Sequence, residues 1–188
     1  MTETTGRTGS TEVERLLALS EGESGRAALR PYLSDPDSVV RRAAVEVVGR
    51  RRPDWAFDAL CLALLDASDS VRVAAAEALR PLEPEFPDQP QLFDFLEQAL
   101  DSPSVPAREI AVRLLRRTSD ASVSTFVAAA EDVEPGVRRE AVHGLADLGA
   151  VSEIGTLLED DDPDVRAAAR AAMATASPSS QSRNEMTD

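Results

Sequence analysis

The sequence has few of the residues on which most catalytic and metal sites depend. Its 188 residues contain one cysteine, Cys61, and one histidine, His143, together with one tryptophan, one tyrosine, five phenylalanines and no lysine. A single cysteine cannot form an intramolecular disulfide, which excludes a disulfide-stapled secreted scaffold. A single histidine excludes any site that needs two of them.

The chain also has no apolar run near the roughly 20 residues that span a bilayer. Residues 1–14 are polar and acidic, unlike a signal peptide, so we expect a cytoplasmic protein. The 20 arginines face 34 acidic residues, which gives a net charge of -14 and a pI of about 4.5. This charge opposes binding to a phosphate backbone or an anionic membrane, so neither nucleic acid nor a membrane is an expected partner.

A short motif, in which an apolar residue precedes an arginine, occurs five times along the chain. The residue three after the arginine is alanine each time, and the residue seven after it is apolar. Its five arginines are Arg41, Arg72, Arg108, Arg138 and Arg166. Positions -1, +3 and +7 share one face of a helix with 3.6 residues per turn, so each motif predicts an amphipathic helix. The small alanine at +3 allows a neighbouring helix to approach closely.

Each motif helix follows an acidic or turn-prone stretch, which in turn follows another apolar segment. Asp, Ser and Pro in such stretches cap helices and suit their first turn. The pattern predicts pairs of helices, with unit boundaries near 22–53, 54–81, 82–118, 119–148 and 149–177. We call the two members of a pair the first and the second helix.

The predicted repeat domain spans residues 11–177. The amphipathic segment 11–20 is expected to be a helix that covers the start of the array, because terminal repeats need a polar cap. Four prolines between residues 81 and 91 predict a local break. The polar ends, 1–10 and 178–188, are expected to be disordered.

The unit of a helix followed by D-P-D-x-V-R-x-x-A-x-x-A-L resembles the HEAT repeat, and its spacing is most similar to the HEAT-like repeats of phycobilin lyases. The resemblance covers about residues 22 to 177. It implies an all-α fold: a right-handed α-α superhelix of about five helical hairpins plus the N-terminal capping helix. It specifies function weakly, because one fold serves many functions.

The same resemblance implies a structural role for the five motif arginines. In that family, turn arginines and aspartates form a ladder of hydrogen bonds between neighbouring repeats. The candidate aspartates each lie six residues before an arginine, and they are Asp35, Asp66, Asp132 and Asp160. We call these two sets the ladder arginines and the ladder aspartates.

No catalytic constellation, cofactor motif or metal site emerges from the residues. Cys61 lies among apolar residues, which favours a buried, unreactive thiol. The acidic run 159–164 lacks the glycine and the distal glutamate of a calcium loop. Trp55 is interpreted as a packing anchor. We therefore expect no cofactor, no metal and no enzyme activity.

Charge is sorted by helix type. All five first-helix segments are net acidic, and four of the five second-helix segments are net basic. In the family the second helices line the concave groove. The candidate groove residues are Arg42, Glu46, Glu77, Arg113, Arg116, Arg117, Arg139, His143 and Arg170. Arginine is common at protein interfaces because its planar fork pairs with carboxylates.

These observations predict a non-catalytic scaffold or adaptor that binds another protein in the groove, through an acidic segment of that partner. The alternative is an enzyme on the same fold, either a HEAT-like DNA glycosylase for alkylated bases or a lyase or isomerase. Tight duplex binding would favour the glycosylase. The partner and the oligomeric state stay open.

Overall fold

The computed structural model describes residues 23–81 and 90–176. Within these ranges there are ten α-helices and one short 3-10 helix, and no strand. The chain forms two compact units divided between Ser119 and Asp120. The predicted capping helix 11–20, the two tails and nearly all of the four-proline connection lie outside the described residues.

The first unit contains three helical hairpins. Its helices are α1 (Glu23–Leu33), α2 (Ser38–Arg51), α3 (Ala56–Ala63), α4 (Asp69–Leu79), α5 (Pro90–Leu100) and α6 (Val105–Leu115). The helices pack in pairs, α1 on α2, α3 on α4 and α5 on α6. The second helices also pack against one another in chain order, α2 on α4 and α4 on α6.

The second unit contains two further hairpins. Its helices are α7 (Val123–Ala129), α8 (Pro135–Asp147), α9 (Val151–Thr156), which continues as a 3-10 turn (Leu157–Glu159), and α10 (Pro163–Ala176). Helix α7 packs on α8, α9 packs on α10, and α8 and α10 pack on each other. Each unit therefore has the same arrangement of paired helices and stacked second helices.

The acidic turns start the second helices by side-chain capping. The Asp37 carboxylate accepts a hydrogen bond from Val39 N at 2.9 Å at the start of α2. Asp162 does the same for Asp164 N and Val165 N at the start of α10. These bonds satisfy backbone donors that have no partner inside the helix. The run 159–164 thus has the helix-capping role that its sequence predicts.

The core is built from the repeated small and apolar positions of the second helices. The alanine at +3 is fully buried in all five: Ala44, Ala75, Ala111, Ala141 and Ala169. Four of the five residues at +7 are also buried: Val48, Leu79, Leu115 and Leu145. The predicted buried face of these helices is confirmed.

Two glycines mark places where helices approach even more closely. A Cβ atom added to Gly49 on α2 would lie 2.5 Å from the Ala78 Cβ on α4. One added to Gly144 on α8 would collide with the ring of Phe126 on α7. Small residues at these points set the spacing of the helices.

Cys61 is buried, as the sequence predicts, and burial raises the pKa of its thiol well above the ordinary value. A protonated, inaccessible thiol is a poor nucleophile. Trp55 is also buried, at the N-terminus of α3. Among the described helices, none has the length and hydropathy needed to cross a membrane.

Candidate partner-binding surface and the turn ladder

The turn before each second helix has a repeated hydrogen-bond pattern. In four of the five turns the ladder aspartate accepts a bond from the backbone N–H two residues later, at 2.8–2.9 Å. The ladder arginine of the same repeat then donates from Nη1 to the backbone carbonyl of the residue six positions earlier. In the first unit, Arg41 Nη1 lies 2.7 Å from Asp35 O and 3.1 Å from Pro36 O.

The other edge of the arginine reaches the following turn. Arg41 Nε and Nη2 each lie 2.8 Å from one oxygen of Asp66, which is the ladder aspartate of the next repeat. In the second unit, Arg138 binds Asp160 in the same bidentate way, at 2.8 and 2.7 Å. The side chains of these four residues are 8–15% exposed. Such planar, charge-assisted pairs are among the stronger hydrogen bonds in proteins.

The pairing changes how the aspartates titrate. The hydrogen bonds from Arg41 hold the pKa of Asp66 below its ordinary value, and Arg138 has the same effect on the pKa of Asp160. The pKa values of Arg41 and Arg138 are raised by the same bonds. Each arginine therefore ties the carbonyls of its own turn to the carboxylate of the next one.

The remaining ladder arginines bind their own turns in the same way. Arg72 Nη1 donates to Asp66 O, Arg108 Nη1 to Ser102 O, and Arg166 Nη1 to Asp160 O, at 2.6–2.8 Å. Asp132 also accepts from the backbone of its own turn. The third turn carries Ser102 where the other four carry aspartate. The sequence analysis did not single this serine out, although counting six residues back from Arg108 locates it.

The candidate groove residues lie on the solvent side of the second helices. Positions +1 and +5 after the ladder arginine hold ten residues, and none of them is buried. The alanine between them at +3 is always fully buried. Charged residues at +1 and +5 therefore meet solvent because the opposite side of the helix is in the core.

Several of the candidate arginines have partners within the first unit. Arg42 Nε lies 3.3 Å from Glu46 Oε1, and both side chains are about half exposed. Arg80 at the end of α4 pairs with Glu109 on α6 at 3.6 Å. Arg113 donates to the carbonyls of Leu79 and Arg80 at the end of α4. Arg113 thus caps the C-terminus of the preceding second helix, where a positive charge is favourable.

The other candidates differ in exposure. Glu77 and Arg117 are exposed in the first unit, and Arg116 is half-buried. In the second unit Arg170 is exposed, whereas Arg139 and His143 are half-buried. Arg116, Arg117 and Arg139 each interact with other groups of the protein. Two arginines of the set are exposed and weakly held. Arg42 has the half-exposed pair with Glu46, and Arg170 has no partner among the described residues.

A concave feature lies between two first helices of the first unit. A cleft of about 610 Å³ separates α1 from α3 and is lined by Arg26, Arg30, Leu33, Trp55, Leu62 and Asp66, among others. The Trp55 indole N–H is buried there without a hydrogen-bond partner among the described residues. Nothing in the sequence pattern indicates this cleft, because its walls come from two separate repeats. Within the described ranges, no cluster of three or more metal-ligating side chains occurs.

The paired helices, the stacked second helices and the repeated turns define an all-α helical-repeat protein. The family model for HEAT repeats matches residues 12–80 and 93–178, so the chain belongs to the HEAT-repeat family. A comparison with curated proteins finds no match.

Solved structures of other helical-repeat proteins are similar in fold. An engineered protein shares 19% identity at a TM-score of 0.60, over 93% of this chain and 92% of the other. A designed armadillo repeat protein in complex with the peptide (KR)4 shares 17% identity at a TM-score of 0.61, over 91% and 92%. Cex1p shares 15% identity at a TM-score of 0.60, over 89% of this chain and 38% of that one. At these identities the likeness shows the fold alone.

Proposed function

We propose that the chain is a non-catalytic protein-interaction module that binds an acidic segment of a partner protein with the exposed side of its second helices. The observation that carries the proposal is the strict alternation on these helices. The +3 alanines are fully buried, and the polar residues at +1 and +5 are held at the surface by that burial.

The exposed arginines of the second helices support an acidic partner. Most second-helix segments are net basic within a chain of net charge -14. The half-exposed Arg42–Glu46 pair is the kind of surface ion pair that contributes little, so a partner carboxylate can compete for Arg42. The planar fork of Arg42 binds carboxylates bidentately. The designed armadillo repeat protein that is similar in fold was solved with a peptide, which makes peptide binding a reasonable function for such a surface.

The test uses two peptides of opposite charge, (DE)4 and (KR)4, with fluorescence anisotropy at low ionic strength. We expect (DE)4 to bind and (KR)4 to bind at least tenfold more weakly. Binding should weaken as salt is added, because exposed charges are screened over about 10 Å at 0.1 M. The variant Arg42→Glu should lose (DE)4 binding, because the substitution places a like charge against the peptide.

The matched control is Arg26→Glu on first helix α1, which makes the same change in net charge. It should keep (DE)4 binding. The proposal is wrong if (KR)4 binds better than (DE)4, or if Arg42→Glu and Arg26→Glu behave alike. Tight binding of duplex DNA at moderate salt would replace it with the glycosylase alternative. Arg113 is left unchanged because its loss would uncap α4.

A further inference from the structure

The ladder of arginine–aspartate pairs is interrupted at the third turn, which offers no aspartate to the buried Arg72. In the first turn pair, Arg41 meets the carboxylate of Asp66. The equivalent partner of Arg72 is residue 102, because it lies six residues before the next ladder arginine, as Asp66 lies six before Arg72. Residue 102 is a serine, and it has no charge to offer.

Among the described residues Arg72 is nevertheless the one charged residue that is buried, at 8% exposure. Its Nη1 donates to Asp66 O at 2.7 Å and to Ala67 O at 3.0 Å. Its Nη2 reaches Asp69 Oδ1 at 3.0 Å, but the Asp69 side chain is 66% exposed. Its Nε is buried and has no hydrogen-bond partner among the described residues. In Arg41 and Arg138 the same Nε binds a carboxylate.

The turn that replaces the carboxylate contains a second buried donor. Ser104 is 3% exposed, and its Oγ has no partner among the described residues. Ser102 is 8% exposed, and its Oγ accepts a bond from Ser104 N at 3.2 Å, as the aspartates do in the other turns. Helices α4 and α6 pack on each other, and Arg72 on α4 stands in the same register to this turn as Arg41 on α2 does to the Asp66 turn. In this register the Arg72 Nε–H and the Ser104 hydroxyl correspond to the place that the carboxylate takes in the Arg41–Asp66 pair.

These groups suit a small anion. The ion pair with the exposed Asp69 leaves the buried Nε–H of Arg72 without an acceptor, which is costly. An anion that accepts hydrogen bonds from Nε–H and from a serine hydroxyl supplies that acceptor, as the aspartate carboxylate does in the Arg41–Asp66 and Arg138–Asp160 pairs, the rungs of the ladder. We propose that a small monovalent anion, chloride being the probe, binds between Arg72 and the Ser102–Ser104 turn and completes the ladder. The proposal is independent of the partner-binding function.

The test measures the melting temperature of the full chain while sodium chloride replaces sodium gluconate at constant ionic strength. Gluconate is too large for a buried rung, so only specific chloride binding changes the result. We expect the melting temperature of the wild type to rise by about 2–5 °C at saturating chloride. The Ser102→Asp variant should melt higher than the wild type in gluconate and show no chloride response, since its own carboxylate occupies the rung.

The control is Ser152→Asp, which adds the same charge at an exposed position and should keep the chloride response. As a direct readout, ³⁵Cl NMR line broadening should be present in the wild type and in Ser152→Asp and lost in Ser102→Asp. If Ser102→Asp does not fold, Ser104→Ala serves instead, and we expect a several-fold higher chloride midpoint. The proposal is wrong if the wild-type protein shows neither a chloride response nor line broadening. Water would then be the group that binds beside Arg72. An equal response in Ser102→Asp overturns the proposal as well.

Discussion

At the scale of single residues, the Arg41–Asp66 and Arg138–Asp160 pairs join consecutive turns of their units. Each arginine satisfies two backbone carbonyls and one carboxylate at once. Removing one partner leaves the other charge poorly solvated, which costs more than the pair itself contributes. The aspartates are therefore the more informative members to change.

We expect Asp66→Asn to lower the free energy of unfolding by about 2 kcal/mol at pH 7. The pKa of Asp66 is lowered in the folded state, so its contribution is present above the unfolded pKa, near 3.9, and is lost as the pH falls through the folded pKa. The stability difference between wild type and variant should therefore shrink below about pH 4. Urea unfolding at several pH values measures this difference.

Asp35→Asn provides the control for this prediction. Asp35 makes the same turn bond to the backbone, to Asp37 N at 2.8 Å, but no described arginine binds its carboxylate. An asparagine oxygen can keep the turn bond. Asp35→Asn should therefore cost less than Asp66→Asn at pH 7. Equal costs would mean that the turn bond, rather than the arginine pair, stabilises the fold.

At the scale of the helix, the second helices depend on small residues at one fixed position. The +3 alanines are fully buried against neighbouring helices, and Gly49 and Gly144 mark equally close contacts. Protein cores are packed densely enough that added methylene groups force side chains or helices to move. Position within the repeat, more than helix propensity, decides what a substitution does.

We expect Ala75→Leu and Ala111→Leu each to destabilise the protein by about 2–3 kcal/mol through overpacking. Ala176→Leu, at the exposed end of α10, should change stability by less than about 0.5 kcal/mol. Leucine has nearly the helix propensity of alanine, so the comparison isolates packing. Urea denaturation of the three variants measures the effect. Similar costs at all three positions would refute the assigned register.

At the scale of the whole molecule, the charge is the property with the widest consequences. At neutral pH the excess acidic side chains, which give the net charge of -14, repel one another, whereas the partners of ion pairs such as Arg41–Asp66 attract each other. The strongest of these pairs are largely buried, so salt screens them less than it screens the exposed acids. Relief of repulsion should therefore dominate the response to salt.

We expect the melting temperature at pH 7 to rise by a few degrees between 20 and 200 mM sodium gluconate. Gluconate is too large to bind beside Arg72, so this experiment measures charge screening without specific chloride binding. Differential scanning calorimetry measures both. A melting temperature that falls with gluconate would show that exposed ion pairs outweigh the repulsion.

The sequence alone determined the repeats, the helix pairs and the buried face of each second helix. Those features follow from local spacing, because positions -1, +3 and +7 share a helix face whatever surrounds it. The burial of Cys61 and the capping role of the acidic run could be predicted for the same reason. The family resemblance added the expectation that turn arginines and aspartates interact.

Only the tertiary structure decided which groups meet. Arg41 binds the carboxylate of Asp66, 25 residues away, whereas in its own turn it binds the backbone carbonyls of Asp35 and Pro36. Arg113, a candidate groove residue, instead caps α4, which ends 34 residues earlier. The spacing of one helix does not tell which carbonyls the next helix brings near. The same holds for Arg72, whose unmatched Nε follows from a serine in another repeat, because long-range contacts are set by how repeats stack.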